Sequence, residues 1–123
     1  MDENTISKII LDCAFKIHTA LGSGLLEKVY RVCLFYELQN RGLFVEQEIG
    51  MPIIYENVNL ECGYRIDILV ERKVVIELKV VEDINIEHIA QTLTYMRFSN
   101  CKLGLILNFY KSSLKDGIKR LIL

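Results

Sequence analysis

The chain has 123 residues, of which 51% are hydrophobic and 25% charged, and its formal net charge is −1. This length predicts one domain, residues 1–123, with a core of useful size, and the single proline argues against long disordered linkers. No apolar run approaches the length of a membrane span, and the first five residues lack the features of a signal peptide, so we expect a cytoplasmic protein with no membrane partner. A net charge near zero neither indicates nor excludes nucleic-acid binding, because acidic ligands can cancel a basic patch.

Two helices are predicted first. Apolar residues recur at helical spacing between Ile6 and Leu21, which predicts an amphipathic helix over about residues 4–20. A second helix is predicted from about Leu25 to Arg41, with Gly42 as its natural cap. Residues 44–49 and 51–56 then favour one bent or interrupted strand, and residues 56–59 a turn.

The next two segments are apolar runs that carry charge at their centres. Residues 65–70 contain Asp67, and residues 74–81 contain Glu77 and Lys79. The polar link between them predicts an antiparallel hairpin, and a turn centred on Arg72 places Asp67 opposite Glu77, with Lys79 on the same face. An ionised side chain in a buried strand is costly unless it is paired or bound to a metal.

The opposite face of this hairpin is expected to be apolar and to pack against a core. A register slip of one residue would mix the two faces, which favours this register. Two neighbouring carboxylates repel, and a cation such as Mg²⁺ relieves that repulsion, while a lysine beside them can orient a water or stabilise negative charge. The expected apolar residues are Ile66, Ile68, Val70, Val74, Ile76, Leu78 and Val80.

The remaining elements complete an α/β pattern. Residues 86–98 predict a third helix, residues 103–109 a buried strand, and residues 113–122 either a short helix or a helix leading into a last strand. This order predicts a mixed central β-sheet flanked by helices, with the two charged strands near its middle.

Other reactive residue types form no recognisable site. Cysteines occur without a CxxC pair, which favours reduced thiols over zinc, and His18 and His88 pair with no serine or cysteine at a triad spacing. Several basic residues either line a nucleic-acid path or are simply solvated, and the solvated reading is favoured for each one. The cysteines are Cys13, Cys33, Cys62 and Cys101, and the basic residues are Lys28, Arg31, Lys111, Lys115, Lys119 and Arg120.

Three motifs together resemble a known superfamily. Asp67 followed by Glu77-Leu-Lys79 resembles the D…(D/E)xK signature of PD-(D/E)XK nucleases, whose restriction-endonuclease-like αβββαβ core is similar to the predicted order with an extra N-terminal helix. The segment from Gly24 through Glu27 to Tyr30 resembles the pattern of the GxxExxY family, and Gln91 to Tyr95 resembles the QxxxY motif of RecB-like nucleases. The sequence departs at Ile66, where the superfamily has its proline, and at Tyr110, where a glycine is expected.

The resemblance implies a role for each matching residue. Asp67, Glu77 and the backbone carbonyl of Leu78 would bind Mg²⁺ or Mn²⁺, and Glu27 would reach the metal directly or through water. Lys79 would orient the attacking water or stabilise the charge that develops on the phosphate. Gln91 would hydrogen-bond Lys79 or a phosphate, and Tyr95 would hydrogen-bond a phosphate. The non-functional alternatives are a surface glutamate at a helix N-terminus for Glu27 and a polar helix flank for Gln91 and Tyr95. Tyr30 is expected to pack and to hold its helix rather than to react.

The leading hypothesis is therefore a metal-dependent nuclease that hydrolyses DNA, less favourably RNA, at a Mg²⁺–carboxylate site. A homodimer would supply the two sites that two cuts need. The alternative is a catalytically inactive nuclease-fold module that binds or assembles with a protein or nucleic-acid partner. A third reading, a purely structural ion cluster, ranks lowest, because hydrophobic residues would usually be at least as stable there.

Overall fold

The structure is a computed structural model that describes residues 1–61 and 63–123, so Cys62 lies outside the described residues. Within these described residues there are three α-helices, seven strands and one short 3-10 turn. The helices are α1 (Glu3–Leu21), α2 (Glu27–Asn40) and α3 (Ile86–Phe98). The strands are β1 (Val45–Gly50), β2 (Ile53–Tyr55), β3 (Val58–Leu60), β4 (Arg65–Val70), β5 (Val74–Lys79), β6 (Leu103–Asn108) and β7 (Ile118–Ile122), and the 3-10 turn is Leu114–Gly117.

Five strands form one mixed sheet in the order β1-β4-β5-β6-β7. The β5–β6 pair is parallel, because α3 carries the chain back across the sheet between them, and the other pairs are antiparallel. Strands β2 and β3 form a separate two-stranded hairpin. The predicted mixed sheet flanked by helices is confirmed, and β4 and β5 occupy its interior as expected.

The hairpin between β4 and β5 has the predicted register. Its pairs run from Val70 with Val74 to Ile68 with Ile76, which centres the turn on Arg72. Glu71 and Arg72 both have positive φ values, 53° and 52°, the twist that a tight antiparallel hairpin favours. The described pairing ends at Ile68 and Ile76, the residues next to Asp67 and Glu77.

Helices cover both faces of the sheet. On one face the alternate residues of β4 and β5, such as Ile68 and Ile76, pack against α1 and α2. On the other face Leu69 and Val75 pack with Met96 of α3. The hairpin was expected to have one apolar and one charged face. Its second face also carries an apolar core, and the charged groups occupy only one end of that face.

Ile66 is a correction to the predicted core face. It packs in the α3 cluster rather than with Ile68, and Ile49, its partner in β1, lies against the same cluster. The described β4–β5 pairing stops at Ile68, and Glu48 of β1 has a φ of 49°, so the simple alternation of side chains breaks at this point.

The other differences concern element boundaries. Residues 44–56 form two strands in different sheets rather than one bent strand, and β3 occupies part of the predicted turn. The second helix begins at Glu27 and ends at Asn40, somewhat shorter than predicted. At the C-terminus the second alternative is correct, since a single 3-10 turn leads into β7.

Among the described residues, none of the helices has both the length and the apolar character needed to cross a bilayer.

Candidate functional site

The centre of the site is a reciprocal pair of hydrogen bonds between β4 and β5. The backbone N–H of Asp67 donates to Oε2 of Glu77 at 2.9 Å, and the backbone N–H of Leu78 donates to Oδ2 of Asp67 at 2.8 Å. Each carboxylate thus binds the backbone of the opposite strand, just beyond the last described backbone pair, Ile68 with Ile76. We call this arrangement the carboxylate clasp.

The two carboxyls of the clasp are shielded from water and lie near each other. Glu77 is only 3% exposed, and burial, followed by the nearby Asp67 charge, raises its pKa from 4.5 to about 8. Burial also raises the pKa of Asp67, against the opposing effect of its bond from Leu78. Both carboxyls are therefore held in surroundings that disfavour their ionised forms.

Lys79 supplies positive charge beside the clasp. It is half-buried at the end of β5, and its charge lowers the pKa of Asp67 and Glu77, although less than burial raises them. Its backbone is fixed by the neighbouring strand, since Phe109 N–H donates to the Lys79 carbonyl at 2.9 Å. The buried Asn108 side chain holds the backbone just after β5. Its Nδ2 donates to the Val81 carbonyl at 2.8 Å, and its Oδ1 accepts from Val81 N–H at 3.2 Å.

Glu27 approaches the clasp from α2. It is the first residue of that helix, and loss of water around its carboxyl, then the charge of Asp67, raise its pKa, while Lys79 and Arg31 oppose that rise. The structure thus brings Glu27 within electrostatic reach of the clasp. Glu27 is also an exposed residue at the N-terminus of its helix, so its role at the site stays a prediction.

Tyr30 holds the beginning of α2 in place. Its ring is fully buried and stacks on Phe109 with centroids 4.4 Å apart. Its hydroxyl donates to the Gly22 carbonyl at 2.5 Å and accepts from Leu25 N–H at 3.2 Å. The helix has no side-chain cap at Leu26, and the Tyr30 hydroxyl instead orders the preceding loop through these two hydrogen bonds.

Arg31 and Glu48 lie near Asp67 of the clasp, a position that was predicted for neither residue from the sequence. The Arg31 side chain is 11% exposed, is hydrogen-bonded to Gln47, and lies 3.3 Å from a Glu48 carboxylate oxygen. Arg31 lowers the pKa of Asp67, whereas Glu48 raises it. Reading Arg31 as a solvated residue was wrong; its position four residues after Glu27, on the same helical face, was the available signal.

Tyr95 and Gln91 lie on α3. The Tyr95 hydroxyl accepts a 3.2 Å hydrogen bond from Arg65 N–H, and burial, then the charge of Glu77, raises its pKa. Tyr95 is buried in the same cluster as Met96, so it does not lie on a polar helix flank. Gln91 lies one helical turn earlier and, with Tyr95, lines a cavity of about 500 Å³.

The histidines have structural partners. His18 Nε2 donates to the Lys111 carbonyl at 2.9 Å, and His88 Nδ1 accepts from Asn85 N–H at 3.1 Å in a capping box at the start of α3. Burial, followed by the charge of Lys79, lowers the pKa of His88, in keeping with a neutral capping ring.

The three described cysteines, Cys13, Cys33 and Cys101, are free thiols, and burial raises the pKa of Cys13 and Cys101. A raised pKa disfavours the thiolate, the reactive form. The predicted reduced state of Cys62 concerns a residue outside the described ones.

Within residues 1–61 and 63–123, no three His, Cys, Asp or Glu side chains form a ready-made metal-binding group. The donor set at the clasp nevertheless fits Mg²⁺ or Mn²⁺. Asp67 and Glu77 each have one oxygen outside the two clasp bonds, and Mg²⁺ is commonly held by only one or two carboxylates, with water and substrate phosphate as the other ligands. A divalent cation would offset the burial and the repulsion by Asp67 that raise the pKa of Glu77.

Comparison with known proteins agrees with this geometry. A family model described as the PD-(D/E)XK nuclease superfamily matches residues 4–121. No curated protein and no solved structure matches the chain. The matched span contains both strands of the clasp together with Lys79, and the chain belongs to the PD-(D/E)XK nuclease superfamily.

Proposed function

We propose that this protein is a metal-dependent nuclease that hydrolyses phosphodiester bonds in DNA, and less favourably in RNA. The observation that carries the proposal is the carboxylate clasp, which sets two desolvated carboxyls beside Lys79 at the end of a central strand. Membership of the superfamily supports this kind of chemistry. The GxxExxY subfamily is part of the proposal, and Gly24, Glu27 and Tyr30 support it by sequence.

In this proposal Asp67, Glu77 and the Leu78 carbonyl would hold Mg²⁺ or Mn²⁺, with Glu27 as a ligand directly or through water. When bound, the ion would polarise the scissile phosphate and lower the pKa of a bound water. The clasp bonds fix one oxygen of each carboxylate, so both groups are oriented before any ligand arrives.

The neighbouring residues would position the reacting groups. Lys79 would orient the attacking water or stabilise the charge that develops on the phosphate. The Tyr95 hydroxyl accepts from Arg65 N–H, so its own hydrogen is available to donate to a phosphate oxygen, and the Gln91 amide would be a second donor. Arg31 would limit the negative charge around Asp67.

The proposed partner is nucleic acid, with DNA favoured, and cleavage of both strands of a duplex would be simplest for a homodimer with two sites. A cytoplasmic location and a further protein partner belong to the same proposal. One observation favours the alternative of an inactive binding module, since three of the six basic residues considered for a nucleic-acid path are bound within the molecule. These are Arg31 with Glu48, Lys111 with Asp83, and Arg120 with Ser7 and Asn4.

Calorimetric titration with Mg²⁺ and with Mn²⁺ tests the proposal on the wild type, Glu77→Gln and Asp67→Asn. Both substitutions keep an oxygen that can accept the clasp bond, so they remove charge with little change of shape. Nicking of supercoiled, linear and branched DNA is measured alongside. Glu82→Gln is the matched control, because Glu82 is an exposed acid just past β5.

We expect metal binding and cleavage in the wild type and in Glu82→Gln, and loss of both in the two clasp variants. Cleavage should fall by at least about 100-fold, the scale of losing a charge-stabilising group. Metal binding without cleavage of any substrate would favour the inactive module. Absence of metal binding at millimolar concentration would contradict the proposal.

A further inference from the structure

The cavity between α3 and the segment before β4 is a binding space that the carboxylate clasp does not use. It has a volume of about 500 Å³, within the range of small-ligand pockets. Three aromatic rings contribute to its lining, and two of them are well exposed, Phe98 at 56% and Tyr64 at 44%. The other lining residues used below are Tyr95, Gln91, Met51 and Ile53.

We propose that this cavity receives an unpaired nucleobase of the substrate, so that the enzyme acts on single-stranded or locally unpaired DNA. This inference rests on the proposed nuclease function. An aromatic face stacks on any base that has left a helix, and such a contact is typically worth roughly tenfold in affinity. Exposed rings at the mouth of a cavity also mark an interaction site more often than a solvated surface.

One hydrogen bond and two residues of strand connect the cavity to the clasp. Tyr95 lines the cavity, and its hydroxyl accepts from the N–H of Arg65, two residues before Asp67 in β4. Two residues of strand span about 7 Å. Stacked bases are about 3.4 Å apart along one strand, so a base in the cavity lies within a few nucleotides of a phosphate at the clasp.

The polar groups in the lining suit a nucleotide better than a plain hydrocarbon ligand. The Gln91 amide offers two donor hydrogens and one acceptor oxygen, which matches the mixed edge of a base. A second space, of about 420 Å³, shares Met51 and Tyr64 with the first, and its charged lining residues are Arg65 and Glu61. A guanidinium there is suited to the phosphate that follows the stacked base.

Fluorescence of 2-aminopurine placed in a short DNA strand tests the proposal, in the Glu77→Gln background so that the strand is not cut. The strand is used alone and as a duplex, with Phe98→Ala, Tyr64→Ala and the control Tyr36→Ala. Tyr36 is 61% exposed on α2, across the sheet from the cavity. All three altered side chains are substantially exposed, and circular dichroism checks that each variant is folded.

We expect the fluorescence to be quenched when the single strand binds, with weaker binding of the duplex. Phe98→Ala and Tyr64→Ala should each lower single-strand affinity by roughly tenfold, whereas Tyr36→Ala should not. In the cleaving enzyme, Phe98→Ala should lower cleavage of single strands more than nicking of duplex DNA.

Equal affinity for the single strand and the duplex, or binding without quenching, would overturn the cavity proposal. Both results are measured on Glu77→Gln alone, so they hold even if the Phe98→Ala and Tyr64→Ala variants do not fold. DNA cleavage with unchanged affinity in folded Phe98→Ala and Tyr64→Ala would also overturn it and leave the nuclease standing. Quenching that depends on these rings, together with no cleavage by the wild type, would contradict the nuclease function and support the cavity as a base-binding site.

Discussion

Glu77 shows how a single residue can cost stability in order to keep its chemistry. Glu77 is 3% exposed, and the nearby charge of Asp67 adds to the effect of burial on its carboxyl. A buried acid of this kind usually takes a proton rather than remain charged. In the protein without metal, Glu77 therefore holds a proton at neutral pH, and a cation or higher pH is needed to remove it.

The pH dependence of stability should reveal this proton. The folded protein retains it up to about pH 8, whereas the unfolded chain releases it near 4.5, so the free energy of unfolding should fall as pH rises between these values. Glu77→Gln removes that loss and should make the protein more stable than the wild type by a few kcal/mol above about pH 8, with little difference below about pH 4.5.

Urea unfolding in buffer with a chelator, repeated across this pH range, measures the effect. Glu82→Gln is the control, because that exposed glutamate should give a curve parallel to the wild type. A Glu77→Gln curve that is also parallel to the wild type would show that the carboxyl titrates at an ordinary pH in the folded protein.

At the scale of elements, the beginning of α2 depends on a side chain from its own first turn. Tyr30 is bound to Gly22 and Leu25 through its hydroxyl, and its ring lies on Phe109. The loop between α1 and α2 is thus fixed from inside the core rather than by a capping residue. Because Glu27 opens the same helix, its position relative to the clasp depends on this bond.

Tyr30→Phe keeps the stacked ring and removes only the hydroxyl. We expect it to lower the free energy of unfolding by about 1–2 kcal/mol, because a buried carbonyl and an N–H lose their partner. Tyr36→Phe, on the exposed side of the same helix, should change stability by less than about 0.5 kcal/mol. Thermal unfolding of both variants checks this, and equal stabilities would show that the Gly22 and Leu25 bonds contribute nothing net.

The strands also show which features of the fold and site could be predicted from the sequence. Asp67, Glu77 and Lys79 were recognisable because charge in the middle of a β-branched run is unusual, and the Arg72-centred turn set their register. The clasp itself was not predictable, since it needs the described β4–β5 pairing to stop at Ile68. Ile66 was misjudged because it changes faces where the alternation breaks. Strand β3 was missed because all three of its residues are exposed, so it has no alternating buried pattern.

At the scale of the whole molecule, the last strand is tied to the first helix. Arg120 of β7 donates to Asn4 at 2.7 Å and to Ser7, which is nearly buried, at 3.1 Å. Both ends of the described chain thereby meet on one side of the sheet. The bonds also give Arg120 a structural task in place of a role in a nucleic-acid path.

Arg120→Gln separates the two roles. We expect a loss of about 1 kcal/mol in the free energy of unfolding, since two hydrogen bonds at a partly exposed site are weakened. The slope of log affinity for DNA against log salt concentration should stay unchanged. A slope reduced by about 0.7–0.9, the signature of one lost phosphate contact, would instead place Arg120 on the nucleic acid.

The carboxylate clasp has a practical consequence for observing the site. The amide protons of Asp67 and Leu78 each end on a carboxylate oxygen rather than on a carbonyl. Their resonances and their hydrogen-exchange rates therefore respond to the ionisation of those two acids. Two backbone signals in a nitrogen-15 spectrum thus serve as built-in indicators, which makes the state of the site readable without any substitution or added probe.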